Sequence, residues 1–160
     1  MTRKLLTLLI AVTFCTAFSA CEETHDETVT KIAEALQNQD MATATNLCDK
    51  LYADLPNCTV KTLGDLTVSY FTLSQHASST DNADTAYAMM QRTVDCFDAA
   101  MKKSPEEATA LWDQMAQESI SRGVNFDLPG IVNSFRSALV LNSLEKNAAI
   151  EPKPEETAES

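Results

Sequence analysis

Glycine, histidine and tryptophan are scarce in this chain, and cations are outnumbered by acids. It has three glycines, two histidines and one tryptophan, with 12 Lys and Arg against 23 Asp and Glu. So few glycines leave no phosphate-cradling loop and no Gly-x-Ser-x-Gly turn, and no His-Glu-x-x-His pair is present. The cysteines never stand as Cys-x-x-Cys, which removes the redox motif, the zinc ribbon and c-type haem attachment. The acids are dispersed and never form an Asp-x-Asp-x-Asp-Gly loop. Without clustered cations the chain has no means of neutralising phosphates, so nucleic acid is excluded as a partner. No run of alternating apolar residues with hairpin turns suggests strands. These absences predict a protein with no catalytic residue, no cofactor and no metal site, and hence not an enzyme.

What is present falls into three parts. The N-terminus opens with Arg3 and Lys4, continues through an uncharged apolar stretch from Leu5 to Phe18, and ends in small residues. That order is a secretory signal. The stretch is shorter than the roughly 20 residues a membrane-spanning helix needs. Phe18-Ser19-Ala20-Cys21 closes it and resembles the lipobox of bacterial lipoproteins, with Phe18 where Leu is usual. The resemblance covers about the first two dozen residues. It implies cleavage before Cys21, lipidation of the Cys21 thiol, and a mature protein anchored in a Gram-negative envelope. An outer-membrane site facing the periplasm or the cell surface fits best. An ordinary signal cut after Ala17 or Ala20 is the alternative. Removing residues 1–20 takes away two cations and no acid, so the mature chain is more acidic than the formal −11 of the precursor. Such a surface favours solubility and, where a partner is charged, a basic one.

The ends of the mature chain read as soft. Residues 21–27, from Cys21 through Glu22, Glu23, Thr24, His25, Asp26 and Glu27, form an acidic leader with no core-forming side chain. That leader is similar to surface-export signals of some Gram-negative lipoproteins. Residues 148–160, rich in Pro and Glu, cannot bury enough apolar surface to offset their ordering entropy and are expected to be disordered.

Between them, residues 28–147 carry helical periodicity throughout. Six stripes are legible, the first on Val29, Ile32, Ala33 and Leu36. Asp40 caps the second, which runs through Ala44, Leu47 and Leu51 to Pro56. The third spans about Cys58 to His76, and Ser78–Asn82 is a polar link. The fourth runs from Ala83 to Lys102, where two lysines complement the helix dipole. Ser104-Pro105-Glu106-Glu107 starts the fifth, with a cap, a proline at the first position and two acids. Pro129-Gly130 interrupts the chain before the sixth stripe of Ile131, Phe135, Leu139 and Leu144. The fold expected is all-α, with five to six helices as antiparallel hairpins, either a bundle or a short array. Ala44, Cys48, Leu51 and Pro56, and again Thr93, Phe97, Ala100 and Pro105, resemble the second helix of a tetratricopeptide repeat. The two prolines are too far apart for that repeat's period of roughly 34 residues.

Few side chains point to chemistry. His25 lies in the leader and His76 at a helix C-terminus, where the dipole favours an imidazolium. Tyr52, Tyr70, Tyr87 and Trp112 are core residues with polar tips, or else they line a small-molecule pocket near Trp112, Tyr70 and Tyr87. Met89, Met90, Met101 and Met115 read as gap-fillers or as an adaptable surface. Of the cysteines after Cys21, helix heights favour a Cys58–Cys96 disulfide with Cys48 free, three buried thiols being the alternative. Asn57-Cys58-Thr59 has the form of an N-glycosylation acceptor, whose machinery a bacterial lipoprotein would rarely meet, and Asp84-Thr85-Ala86 that of an O-glycosylation triplet, which a helix-capping turn explains as well. The function expected is a lipid-anchored helical interaction module for a protein or peptide partner, of the immunity, inhibitor or accessory-subunit kind. The rival is a small-molecule binder or minor enzyme with a pocket between helices.

Overall fold

The computed structural model describes residues 24–150. The lipidation candidate Cys21, the signal and the tail from Glu151 onward lie outside the described residues. The described chain is all-α, with six helices: α1 His25–Gln37, α2 Met41–Tyr52, α3 Val60–Ser79, α4 Ala83–Lys103, α5 Pro105–Ser121 and α6 Leu128–Ile150. A 3-10 turn, Leu55–Asn57, follows α2.

Helix α1 begins earlier than its apolar stripe. Thr24 accepts from the Glu27 amide, and the Glu27 carboxylate accepts from the Thr24 amide at 3.2 Å, a reciprocal capping box. Asp26 and Glu27 therefore belong to the first helical turn, where the dipole favours acids. The leader expected over 21–27 loses its last four residues to this helix and cap. The tail boundary shifts likewise, because α6 runs to Ile150.

The links explain which helices pair. After α1, Gln39 takes a left-handed conformation (φ 59°), its amide donates to the Leu36 carbonyl, and the Asp40 amide donates to Ala35. Asp81 (φ 55°) does the same after α3, with Asp81 donating to Ser78 and Asn82 to Ala77. These are Schellman motifs, which satisfy the last orphan carbonyls. In each, the closing residue is also the next N-cap: Asp40 accepts from the Thr43 amide and Asn82 from Thr85. One residue thus ends one helix and starts the next, leaving no slack, and α1/α2 and α3/α4 fold back as tight hairpins.

The third pair differs. Helix α5 also ends in a Schellman motif, with Gly123 at φ +77° donating to Ile120 and Val124 donating to Ser119. Several residues then intervene before Asp127, whose carboxylate accepts from the Gly130 amide at 3.1 Å. Pro129 and Gly130 consequently lie inside the first turn of α6 rather than breaking a loop before it. A side chain on Gly130 would collide with that capping carboxylate. Helix α6 packs chiefly along α4, antiparallel to it, with Arg136 paired to Asp98 and Lys146 to Asp84 at 3.3 Å.

Helix α3 is the shared wall of two buried clusters. Toward α4, α5 and α6 it presents Val60 and Leu63 to Phe97, Trp112, Val132 and Phe135. Toward α1, α2 and α4 it presents Leu66, Tyr70 and Leu73 to Ile32, Leu51 and Met89. Small residues permit close approach: Ala44, Cys48 and Ala100 are fully buried. Gly64 abuts Leu111 and Trp112 so closely that a Cβ would stand 2.5 Å from the Leu111 side chain. Buried hydroxyls on α3 satisfy themselves locally, Thr67 donating to the Leu63 carbonyl and Ser74 to Phe71, each at 2.7 Å.

Candidate functional site

An apolar groove lies where α1, α3 and the end of α5 meet. Helix α1 contributes Val29, Ala33 and Leu36, and α3 adds Asp65, Val68 and Ser69. The C-terminal half of α5 supplies Met115, Glu118 and Ser119, its C-cap adds Arg122, and the link beyond lays Val124 and Phe126 along the edge. The groove encloses about 490 Å³ and its floor is mostly apolar. Its existence follows from the chain path. The Schellman turn at Gly123 reverses the chain, and the Ser119 hydroxyl accepts from the Phe126 amide at 3.2 Å, which pins the link. Phe126 then meets Phe71 edge-on at 5.8 Å. Helix α1 therefore stops short of α5, and the space between them stays open.

The rim carries both signs of charge. Asp65 is bound by Lys61 at 2.9 Å, and that pairing raises the Lys61 pKa. Glu118 accepts from the Gln114 amide at 2.9 Å, while Arg122 is exposed and makes no ion pair among the described residues. Val124, at the edge of the groove, is 57% exposed. This arrangement holds apolar side chains or an amphiphile by desolvation.

The residues singled out from sequence are scattered away from this groove, apart from Met115. Tyr70, Tyr87 and Trp112 do not share a pocket, so the small-molecule site expected there is absent. Tyr70 is fully buried in the α1–α4 cluster, and Trp112 stacks on Phe97 at 5.0 Å in the other cluster. Tyr87 lines a separate depression of about 260 Å³ with Ser78, Asp81 and Met90. The indole nitrogen of Trp112 is buried without a hydrogen-bond partner. Met89 is buried in the α1–α4 cluster, and Met90 and Met101 pack as partly buried gap-fillers.

The tyrosines are core residues with polar tips, and Arg92 organises them. Its guanidinium lies over the Tyr52 ring at 5.4 Å and the Tyr70 ring at 5.6 Å while pairing with Asp49. The Tyr70 hydroxyl donates to Asp49 at 2.9 Å and the Tyr52 hydroxyl to Asp95 at 2.6 Å. Burial first, then the carboxylate, pushes the Tyr70 pKa far up and that of Tyr52 to about 12. Both phenols therefore stay protonated and act as donors, Tyr52 tying α2 to α4 and Tyr70 tying α3 to α2. Arg92 escaped the sequence reading, although it is a mid-helix cation three residues before Asp95.

The expected Cys58–Cys96 disulfide is not formed. Cys48, Cys58 and Cys96 are all free and buried. Cys58 turns into the α5–α6 side, with its thiol 3.6 Å from the Asp54 carbonyl and 3.8 Å from that of Leu51. Cys96 packs with Cys48 in the other cluster. Burial is the main cause that raises all three thiol pKa values, Cys48 to about 12, so none is an activated nucleophile.

His25 pairs with Asp54 at 3.1 Å, and His76 is exposed on the last turn of α3. The triplets serve as caps. Asn57 donates to Asp54 at 2.6 Å and Thr59 caps α3, whereas Thr85 donates its amide to Asn82. No described helix is long and apolar enough to cross a membrane. No protein-family model, curated protein or solved structure matches the chain.

Proposed function

We propose that this chain is a lipid-anchored protein of a Gram-negative envelope, held by Cys21, and that it acts without chemistry as a helical interaction module. Its groove receives the apolar face of a helix from a protein or peptide partner, a mode in which residues at i, i+3, i+4 and i+7 fill a hydrophobic trough. The observation that carries this reading is the groove itself: an apolar floor of about 490 Å³ with charges only at the rim. Val124, exposed at its edge, continues the apolar surface outward. The volume also falls within the range of small-molecule sites, which keeps an amphiphilic ligand as the second reading.

Crosslinking in intact cells tests it. With a photoreactive residue at Ala33, at the groove, the expected product is one stoichiometric protein adduct. The same residue at Thr109, on the exposed face of α5, should give none. Recovery of the uncrosslinked chain from both would shift the assignment to an amphiphile and make ligand screening decisive. The anchor has its own test: Cys21→Ser should abolish acylation and release the protein from the membrane fraction.

A further inference from the structure

The geometry points to a partner whose docking helix lies at the membrane surface, and this inference rests on the anchored-module reading. Helix α1 is both the first helix described after Cys21 and one wall of the groove. It is fixed to the body, because Thr28 and Ile32 are buried and His25 pairs with Asp54. Only Glu22 and Glu23 separate Cys21 from the cap Thr24. Three Cα steps therefore limit the distance from Cys21 to Thr24 to about 11 Å. Val29 and Leu36 lie five and twelve residues past Thr24, which is about 7.5 and 18 Å along the helix. The α1 wall of the groove is thus confined within about 30 Å of a lipidated Cys21, and its near end within about 20 Å. A segment standing just outside the bilayer reaches it, while one far out in the envelope space does not.

The rim specifies the partner further. Asp65 is already answered by Lys61, so the rim charges left to a partner are Glu118 on α5 and its C-cap Arg122, about one turn apart. An amphipathic juxtamembrane helix matches the groove when its apolar stripe is flanked by a base and an acid about one turn apart. Charge pairing of this kind sets register and partner choice more than raw affinity.

The test varies the tether in the full-length chain, with the photoreactive residue at Ala33. A 20-residue Gly-Ser segment inserted between Glu23 and Thr24 adds a mean span of roughly 25 Å and dilutes the groove away from the membrane surface. The expected result is an adduct that stays in the carbonate-washed membrane pellet and falls at least fivefold with the insertion. A lower melting temperature would betray damage to α1, so unchanged melting accompanies the expected result. An adduct unchanged by the insertion would overturn the inference and mark a soluble partner. An adduct of twice the chain's mass would overturn it in favour of a second copy. Failure of the underlying reading looks different: no adduct with either tether, or an undiminished adduct in the soluble fraction of Cys21→Ser cells.

Discussion

Helices α1 to α4 and the stretch from α5 to the end of α6 share a wall, α3, but finish their surfaces differently. In the first region each hairpin link is as short as a Schellman turn and an N-cap can make it, and its open side is closed by Tyr52, Tyr70 and Arg92 with their two aspartates. In the second, the link after Gly123 is longer and α6 leans on α4 instead of α5. The five large apolar side chains left in water among the described residues are Ile120, Val124, Val140, Leu141 and Leu144, and every one belongs to this second region. The groove draws on both halves, α1 and α3 forming one side and α5 with the link after it the other.

The largest expected effect comes from opposing core and surface within the second half. Trp112→Ala removes a buried ring stacked on Phe97 and should cost about 3–5 kcal/mol in urea unfolding. Leu144→Ser, at 60% exposure, should change stability by less than about 0.5 kcal/mol. A large loss in Leu144→Ser would mean that this face is structural and would erase the contrast. Next in size is Arg92→Leu, which deprives Asp49 of its cation and both tyrosine rings of a guanidinium. Because Arg92 and Asp49 are 30% and 41% exposed, screening limits the expected loss to about 1–2 kcal/mol. Chemical denaturation of the single variant, with Asp49→Asn in a double-mutant cycle, measures it.

Titration of the buried thiols and phenols sharpens the same comparison at about the next magnitude. Burial raises the folded pKa of Cys48 from 9.0 to about 12, and that of Tyr52 from 10.0 to about 12. Between those values the unfolded chain releases protons that the folded chain retains. Stability is therefore fully present below pH 9 and falls as pH rises from 9 toward 12. Cys48 alone should remove roughly 1 kcal/mol between pH 9 and 10. Unfolding curves from pH 7 to 10.5 test the sign. A thiol reagent at pH 8 should find all three cysteines unreactive until denaturant is added.

How much of this was legible from sequence depends on whether one side chain or a path of chain carried the information. Asp40, Ser104 and Pro105 announced their helices because a cap acts on amides two or three residues away, and each is found in that role. The six apolar stripes gave an all-α fold for the same local reason. The acidic run at Asp26 and Glu27 had two meanings, solvated leader or first helical turn, and the reciprocal bond with Thr24 decided it. The groove was not legible. Val29 and Leu36 sit on the same stripe as the buried Ile32, and only the path of the distant α5–α6 link leaves one edge of that stripe uncovered. The cysteine pairing failed likewise, because matching heights say nothing of which buried cluster each thiol turns into.

The smallest expected effect concerns Gln39, which keeps the first hairpin tight against its own preference. Its φ of 59° is a conformation in which a Cβ crowds the following carbonyl, at about 1–2 kcal/mol for an ordinary residue. Glycine removes that crowding but adds about 0.5–1 kcal/mol of backbone entropy to the unfolded chain. Gln39→Gly should then stabilise the protein by about 0.5 kcal/mol, a rise of one or two degrees in melting temperature. At Gly123 the same conformation is already held by glycine, so Gly123→Ala should do the reverse by about 1 kcal/mol. The two variants together separate a turn that tolerates strain from one that avoids it. If Gln39→Gly destabilises instead, the Gln39 side chain holds the α1–α2 link in a way its backbone does not explain. The tightness of that hairpin would then rest on a contact rather than on the turn.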